Sequence, residues 1–389
     1  MPDDLILITI GGLLLAGLAM DAVGRRTHLP RVTLLVLLGI VAGPSVLDII
    51  PDADGLYPLA ATMALVMVAF LLGGRLTRKV LAEDGVRILG VSTGVVVATA
   101  AVVGVGLWLT GFDPVLCLVL AGVATATDPA ATQDVVSRSG AKGPFSRVLL
   151  GVVAIDDAWG LIAFSLLLAA AHAVVGESVS GSLEVAAVEI GGAIAIGLAI
   201  GLPAAYLTGR LKPGEPTQAE ALGVVFLGGG IALAVGASFL LAVMVAGFLI
   251  ANLARHHARA FHEIEHIEWP FMVLFFVLAG ASLDLSALPT IGLLGILYLV
   301  LRFAGRVIGG WVGGAATGVA PDQRVWMGMA LMPQAGVAMG MALIAVGSFP
   351  EYRTEILATT IAASVIFELG GPILTQMALK RADEVRSES

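Results

Sequence analysis

The chain has 389 residues, 58% of them hydrophobic and 13% charged, with a mean hydropathy of +0.99 and a formal charge of −8. Soluble domains carry about 25% charged residues, so this composition excludes an ordinary soluble fold and points to a chain that folds within a bilayer. A single cysteine, Cys117, excludes a disulfide framework and a cysteine-based metal site.

In chain order, apolar stretches lie at 4–23, 31–47, 58–74, 88–111, 115–137, 148–174, 183–208, 218–233, 237–253, 269–285, 290–317, 325–347 and 355–379. Most approach the length of helix needed to span a bilayer. The expectation is an all-α polytopic membrane protein of about thirteen transmembrane helices, with the weakest break at 234–236. The first stretch lacks a basic flank and a small-residue cleavage site, so it reads as a retained span rather than a leader. Residues 1–380 form one transporter-sized transmembrane domain, and 381–389 form a short polar tail with no core of its own.

The basic residues give the orientation. With the N-terminus outside, the Lys and Arg residues after spans one, three, five, seven, nine, eleven and thirteen all fall on the same side. Arg353 alone falls on the other, while Arg302 and Arg306 lie inside span eleven. The positive-inside rule therefore places the N-terminus outside and the C-terminus in the cytoplasm, in a cell inner (plasma) membrane.

Span five reads LAGVATATDPAATQDVV. Proline disfavours helix at the residue before it and is tolerated at the first helical position, while Thr127 and Asp128 are good N-caps. Two half-helices are expected, the second starting at Asp128–Pro129. Span twelve carries a matching interruption, LMPQAGVAMGMAL. Spans five and twelve are seven apart and cross in opposite directions, which fits two inverted six-helix repeats (about 4–174 and 218–379) around a linker helix (183–208). Paired interruptions in inverted halves mark the substrate site of secondary transporters, and the two broken helices are expected to cross near mid-membrane. Asp128 serves either to neutralise a positive helix end or to contact an ion.

Asp156 and Asp157 follow in GVVAIDDAWGLIAF, beside the broken span. Adjacent helical residues point about 100° apart, so the two cannot face one partner. An intramembrane carboxylate is a functional-site hypothesis by default. Asp157, with Thr127 and unwound backbone, offers the oxygen ligands that a hard cation prefers. A carboxylate that takes either a proton or a cation couples the two by competition. Arg302 and Arg306, four apart in span eleven, are candidate charge-compensating partners for Asp156 or Asp128, with at least one of them expected to snorkel towards an end. Glu368 and Glu189 are further intramembrane acids, read as structural.

The motifs ATDPAAT, AIDDAWGLI, FFVLAGASLDL, LPRVTLLVLLGIVAGPSVL and MPQAGVAMGMALIA resemble the monovalent cation:proton antiporter superfamily, the bacterial sodium/proton exchangers, in order along nearly the whole chain. The resemblance implies antiport of a monovalent cation (Na⁺ first, K⁺ or Li⁺ as alternatives) for protons by alternating access. It also implies a six-helix core domain, a homodimer, a role in pH homeostasis and no cofactor. Its essential aspartate maps onto Asp157, its partner position onto Asp156, and the broken-helix Thr-Asp onto Thr127 and Asp128. The Asp-Asp pair resembles the electrogenic branch and Thr-Asp-Pro the electroneutral one. Val152 stands where the electroneutral branch usually has glutamate, and Arg302 and Arg306 stand where the electrogenic branch commonly has lysine. Both stoichiometries stay open on the resemblance.

One motif suggests other chemistry. HEIEH, residues 262–266, matches the H-E-x-x-H pattern of zinc proteases. An intramembrane zinc protease is the rival reading from the enzyme class, and a cation channel is the rival from the transport class. The segment also reads as a solvated linker whose histidines, His262 and His266 among them, sense pH. No nucleic-acid partner is expected.

Overall fold

The computed structural model describes residues 3–27, 31–44, 46–50, 56–176, 180–207, 217–254, 257–281, 292–334 and 336–384. Within these, a number of side chains, including those of Asp157, His262 and His266, lie outside the described set. Every element is helical apart from connecting turns, and each of the thirteen apolar stretches carries helix. Among the described residues, seven helical segments are long and apolar enough to cross a membrane, the interrupted Pro114–Ser139 counted as one, and six shorter apolar helices accompany them. The chain is a polytopic all-α membrane protein.

It divides into two compact units. The first, Met1–Ala82 with Val188–Leu283, holds α1 (Asp3–Thr27), α2 (Arg31–Ala42), α3 (Leu56–Arg75), most of α8 (Ser180–Leu207), α9 (Thr217–Ala234), α10 (Phe239–Leu253) and α11 (His257–Ala281). The second, Glu83–Ala187 with Asp284–Ser389, holds most of α4 (Arg78–Leu109), α5 (Pro114–Ala124), α6 (Pro129–Ser139) and α7 (Pro144–Val174). It also holds α12 (Gly292–Ala316), α13 (Arg324–Ala330), α14 (Gly336–Ser348) and α15 (Arg353–Arg381).

Glycine sets the closest approaches in the first unit. A side chain on Gly39 of α2 would strike the Val277 carbonyl of α11, and one on Gly280 of α11 would strike the Val36 carbonyl of α2. The same reciprocity joins α3 and α10, where Gly73 faces the Met244 carbonyl and Gly247 the Phe70 carbonyl. Counted as spans, these are the second with the tenth and the third with the ninth. Moving each partner by seven places turns one pair into the other, as two inverted six-span halves require.

In the second unit α12 presents Gly305, Gly309 and Gly313 to α4. Their spacing of four puts them on one face of the helix. A Cβ on Gly94 of α4 would lie 2.9 Å from the Gly309 carbonyl oxygen and 2.9 Å from Gly313 Cα. The two helices therefore meet backbone to backbone, and Arg302 and Arg306 emerge from the buried side of α12 towards the interrupted helices.

Both interruptions form as the prolines dictate. α5 starts at Asp113, whose carboxylate accepts from Val115 N at 2.8 Å ahead of Pro114. It ends at Thr125, and the chain runs non-helical to Asp128, which caps α6 by accepting from Ala130 N at 2.9 Å. α6 stops at Gly140, where φ of +65° suits glycine. The second interruption separates α13 from α14 at Leu331–Gln334. The two breaks touch: Asp128 N donates to the Pro333 carbonyl at 2.9 Å. These are crossed discontinuous helices.

The candidate ion site at the crossing

The crossing brings together helix ends whose backbone groups have no partner of their own. Arg302 donates from Nε to the Ala124 carbonyl at 3.2 Å, from Nη1 to Met332 O at 3.0 Å and from Nη2 to Ala126 O at 2.9 Å. Arg306 donates from Nη2 to Thr125 O at 2.5 Å and Ala126 O at 2.8 Å. Two guanidiniums thus cover the carbonyl-rich end of α5 and one carbonyl of the second break. The partial negative charge of a helix C-terminus favours cations there. Neither arginine snorkels: both side chains are 0% exposed. The expectation of an end-seeking arginine fails because the broken helices place their free carbonyls at the same depth.

Asp156, also 0% exposed, is the ionic partner of Arg306, with Nη1 at 3.0 Å from Oδ2. Its carboxylate further accepts from the Thr127 hydroxyl on Oδ2 and from Ser92 Oγ at 3.3 Å on Oδ1. Three elements converge on one side chain: α4 through Ser92, the first break through Thr127 and α12 through Arg306. Arginine presents donors in a fixed fork and effectively never loses its proton. Arg306 uses that fork to serve a carboxylate and backbone carbonyls together, which an ammonium would do poorly. Among the described residues neither arginine is hydrogen-bonded to Asp128.

Of the other residues singled out from sequence, Thr127 is engaged by Asp156, and Asp128 Oδ1 is engaged by the α6 N-terminus. Asp157 occupies the next helical position of α7 after Asp156, and its side chain lies outside the described residues. Glu368 sits on α15 at the same crossing. Three residues on, a Cβ at Gly371 would lie 2.6 Å from Pro333 N, and Thr375 Oγ1 donates to Ala330 O at 3.0 Å. His262 and His266 fall on α11, in the other unit, with side chains outside the described set. Among the described residues no group of three or more His, Cys, Asp or Glu side chains is placed to hold a metal ion.

Sequence reasoning assigned no bonding role to three residues, Gln334 being named only as part of the second interruption. Ser92 lies in an unremarkable apolar run, and nothing marks it. Gln334 donates to Val123 O at 3.1 Å and to Tyr298 OH at 3.4 Å, tying the second break to α5 and α12. Glu384, read as part of a polar tail, accepts from Phe145 N at 2.7 Å and Ser146 N at 2.9 Å. It thereby caps α7, whose own N-cap Gly143 has no side chain to do so.

Residues 10–380 match the family described as sodium/hydrogen exchanger, transmembrane. The chain belongs to the sodium/hydrogen exchanger family. It is a cation:proton antiporter rather than an enzyme, which sets aside the protease reading of HEIEH. Among curated relatives, an ammonium/H⁺ antiporter subunit, AmhT of Alkalihalophilus pseudofirmus, is 25% identical over 385 residues, covering 97% of this chain and 96% of that protein. The glutathione-regulated potassium-efflux system protein KefC of Salmonella paratyphi B is 26% identical over 374 residues, 93% of this chain. The match spans only 59% of KefC's length. Among solved structures, the sodium proton antiporter MjNhaP1 of Methanocaldococcus jannaschii superposes with a TM-score of 0.75 at 19% identity, covering 98% of this chain and 100% of that one. At that identity the likeness speaks for the fold.

Proposed function

We propose that this antiporter exchanges a monovalent cation, Na⁺ foremost, with K⁺ and Li⁺ as the alternatives, for protons at Asp157, one cation against one proton, by alternating access. The observation that carries the reading is the engagement of Asp156. With Arg306, Thr127 and Ser92 all on its carboxylate, Asp156 stays an ion-pair partner through the cycle. Its neighbour, one position further along α7, is then the carboxylate that alternates between proton and cation. Arg302 and Arg306 compensate charge at the carbonyl ends, and Asp128 does so at the start of α6. Thr127 orients Asp156 rather than holding the cation.

The named relatives handle ammonium, potassium and sodium respectively, which suits a site defined by one carboxylate. The reading also takes the chain as a homodimer in a cell inner membrane, N-terminus outside and C-terminus in the cytoplasm, contributing to pH homeostasis.

The test is a pH-sensitive dye in proteoliposomes challenged with Na⁺, K⁺ or Li⁺. Saturable dequenching with one or more of these is expected for the wild type, and none for Asp157→Asn, which keeps the fold. Wild-type exchange in Asp157→Asn would overturn the assignment. Proton flux without a counter-gradient of cation would favour the channel.

A further inference from the structure

The antiport reading uses Asp128 only through Oδ1, at the start of α6, and leaves the buried acid Glu368 without a role. Asp128 is 3% exposed and Glu368 is 2% exposed. Asp128 spends Oδ1 on the first turn of α6, while its Oδ2 and both carboxyl oxygens of Glu368 are buried without a donor among the described residues. The two carboxyl groups lie within hydrogen-bonding reach of each other. The packing fixes this proximity: Asp128 N binds the Pro333 carbonyl, and Gly371, one turn beyond Glu368, abuts Pro333.

Among the described side chains, charged groups on the neighbouring elements are committed elsewhere. Arg302 of α12 lies over the Phe367 ring at 4.3 Å, but its hydrogen bonds go to the Ala124, Ala126 and Met332 carbonyls. Asp134 of α6 pairs with Arg138 at 3.6 Å, and Arg324 of α13 donates to the Val319 carbonyl. The described parts of α5 and α14 carry no charged side chain.

Two buried carboxylates in contact cannot both ionise without a cation between them, and such a pair binds and releases protons as a unit. We infer that Asp128 and Glu368 form a carboxyl–carboxylate pair that holds one shared proton and locks α15 to the helix crossing. The shared proton is held by residues other than Asp157, to which the proposed function assigns the exchange with the cation. The proton bridges the two groups: Glu368 supplies the O–H, Asp128 Oδ2 accepts it, and the single remaining charge faces the positive end of α6. Glu368 is a positioning residue. It touches no transported ion and acts by fixing Asp128, and through Asp128 the first break.

Infrared spectroscopy of the purified protein, with hydrogen–deuterium exchange, reads this directly. A protonated carboxyl band is expected in the wild type. It should be lost in Glu368→Gln and persist in Asp157→Asn, whose transport defect bears on the exchange site alone. Gln supplies an N–H where the shared proton was, so Glu368→Gln should keep exchange near the wild-type rate. Glu368→Ala leaves Asp128 without a donor and should lower exchange by roughly tenfold or more. If Glu368→Gln does not yield folded protein, Asp128→Asn, which preserves the N-cap, should keep the protonated Glu368 carboxyl but shift its band, because its O–H then donates to a neutral amide oxygen instead of a carboxylate. A band that survives Glu368→Gln, one unmoved by Asp128→Asn, or one lost only in Asp157→Asn would overturn the inference. So would a Gln variant as impaired as the Ala variant.

Discussion

Replacing Arg306 with methionine is the most searching perturbation of the crossing. The guanidinium is fully buried, pairs with Asp156 at 3.0 Å and is the only described donor to the Thr125 carbonyl. Arg306→Met leaves Asp156 with two hydroxyl donors and no direct ion-pair partner. Removing one member of a buried pair costs about 3–5 kcal/mol. For a unit of about 200 residues each kcal/mol moves Tm by about 2–4 °C, so a loss on the order of 10 °C is expected. The assay is thermal unfolding in detergent of wild type, Arg306→Met, Asp156→Asn and the double variant. Removing both charges abolishes the uncompensated one, so the double variant should lose less than the sum of the singles by about 1 kcal/mol or more. Strict additivity, or a Tm for Arg306→Met within about 2 °C of wild type, would refute the pairing as a structural element.

Three further outcomes follow from the same geometry. Glu384→Ala removes the only side-chain cap described on α7 and should cost about 1 kcal/mol in the same unfolding assay; no change would mean that the cap contributes nothing. Gly309→Leu forces a side chain into the backbone of α4 at Gly94 and Val95 and should abolish the monodisperse peak in size-exclusion chromatography; a wild-type profile would contradict the backbone-to-backbone contact. Changing His262 and His266 to Gln should leave exchange intact and shift its pH profile modestly at most; complete loss of transport, with wild type stimulated by zinc, would restore a metal role.

The sequence made the helix order legible because prolines and glycines punctuate it. Asp128–Pro129 announces its own N-cap, and Pro333 announces the matching break. The touching of the two breaks was legible only as an expectation of symmetry, since it rests on a backbone bond from Asp128 N to Pro333 O. The arginines were legible as intramembrane charges, but neither the burial of both nor what they bind was. Their partners are the carbonyls of Ala124, Thr125, Ala126 and Met332, and a backbone oxygen leaves no mark in a sequence. For the same reason the choice between Arg302 and Arg306 as the partner of Asp156 needed coordinates. Glu384 was hidden by its polar surroundings, because capping another helix requires only a well-placed carboxylate. Glu368 was visible as an intramembrane acid, but its proximity to Asp128 spans most of the chain and has no local signal.

The central claim is that Asp156 remains bound to Arg306, so that Asp157 alone exchanges one cation for one proton. The measurement that tests it most directly is the null point of exchange in proteoliposomes with clamped cation and pH gradients, taken at several membrane voltages. One-for-one exchange predicts a null point where the two gradients are equal, unmoved by voltage. If Asp156 also carried a proton, each cycle would move one net charge. At ~2.3 kcal/mol per charge per 100 mV, the balancing cation gradient would then shift by roughly 50-fold for each 100 mV, and the account would be contradicted.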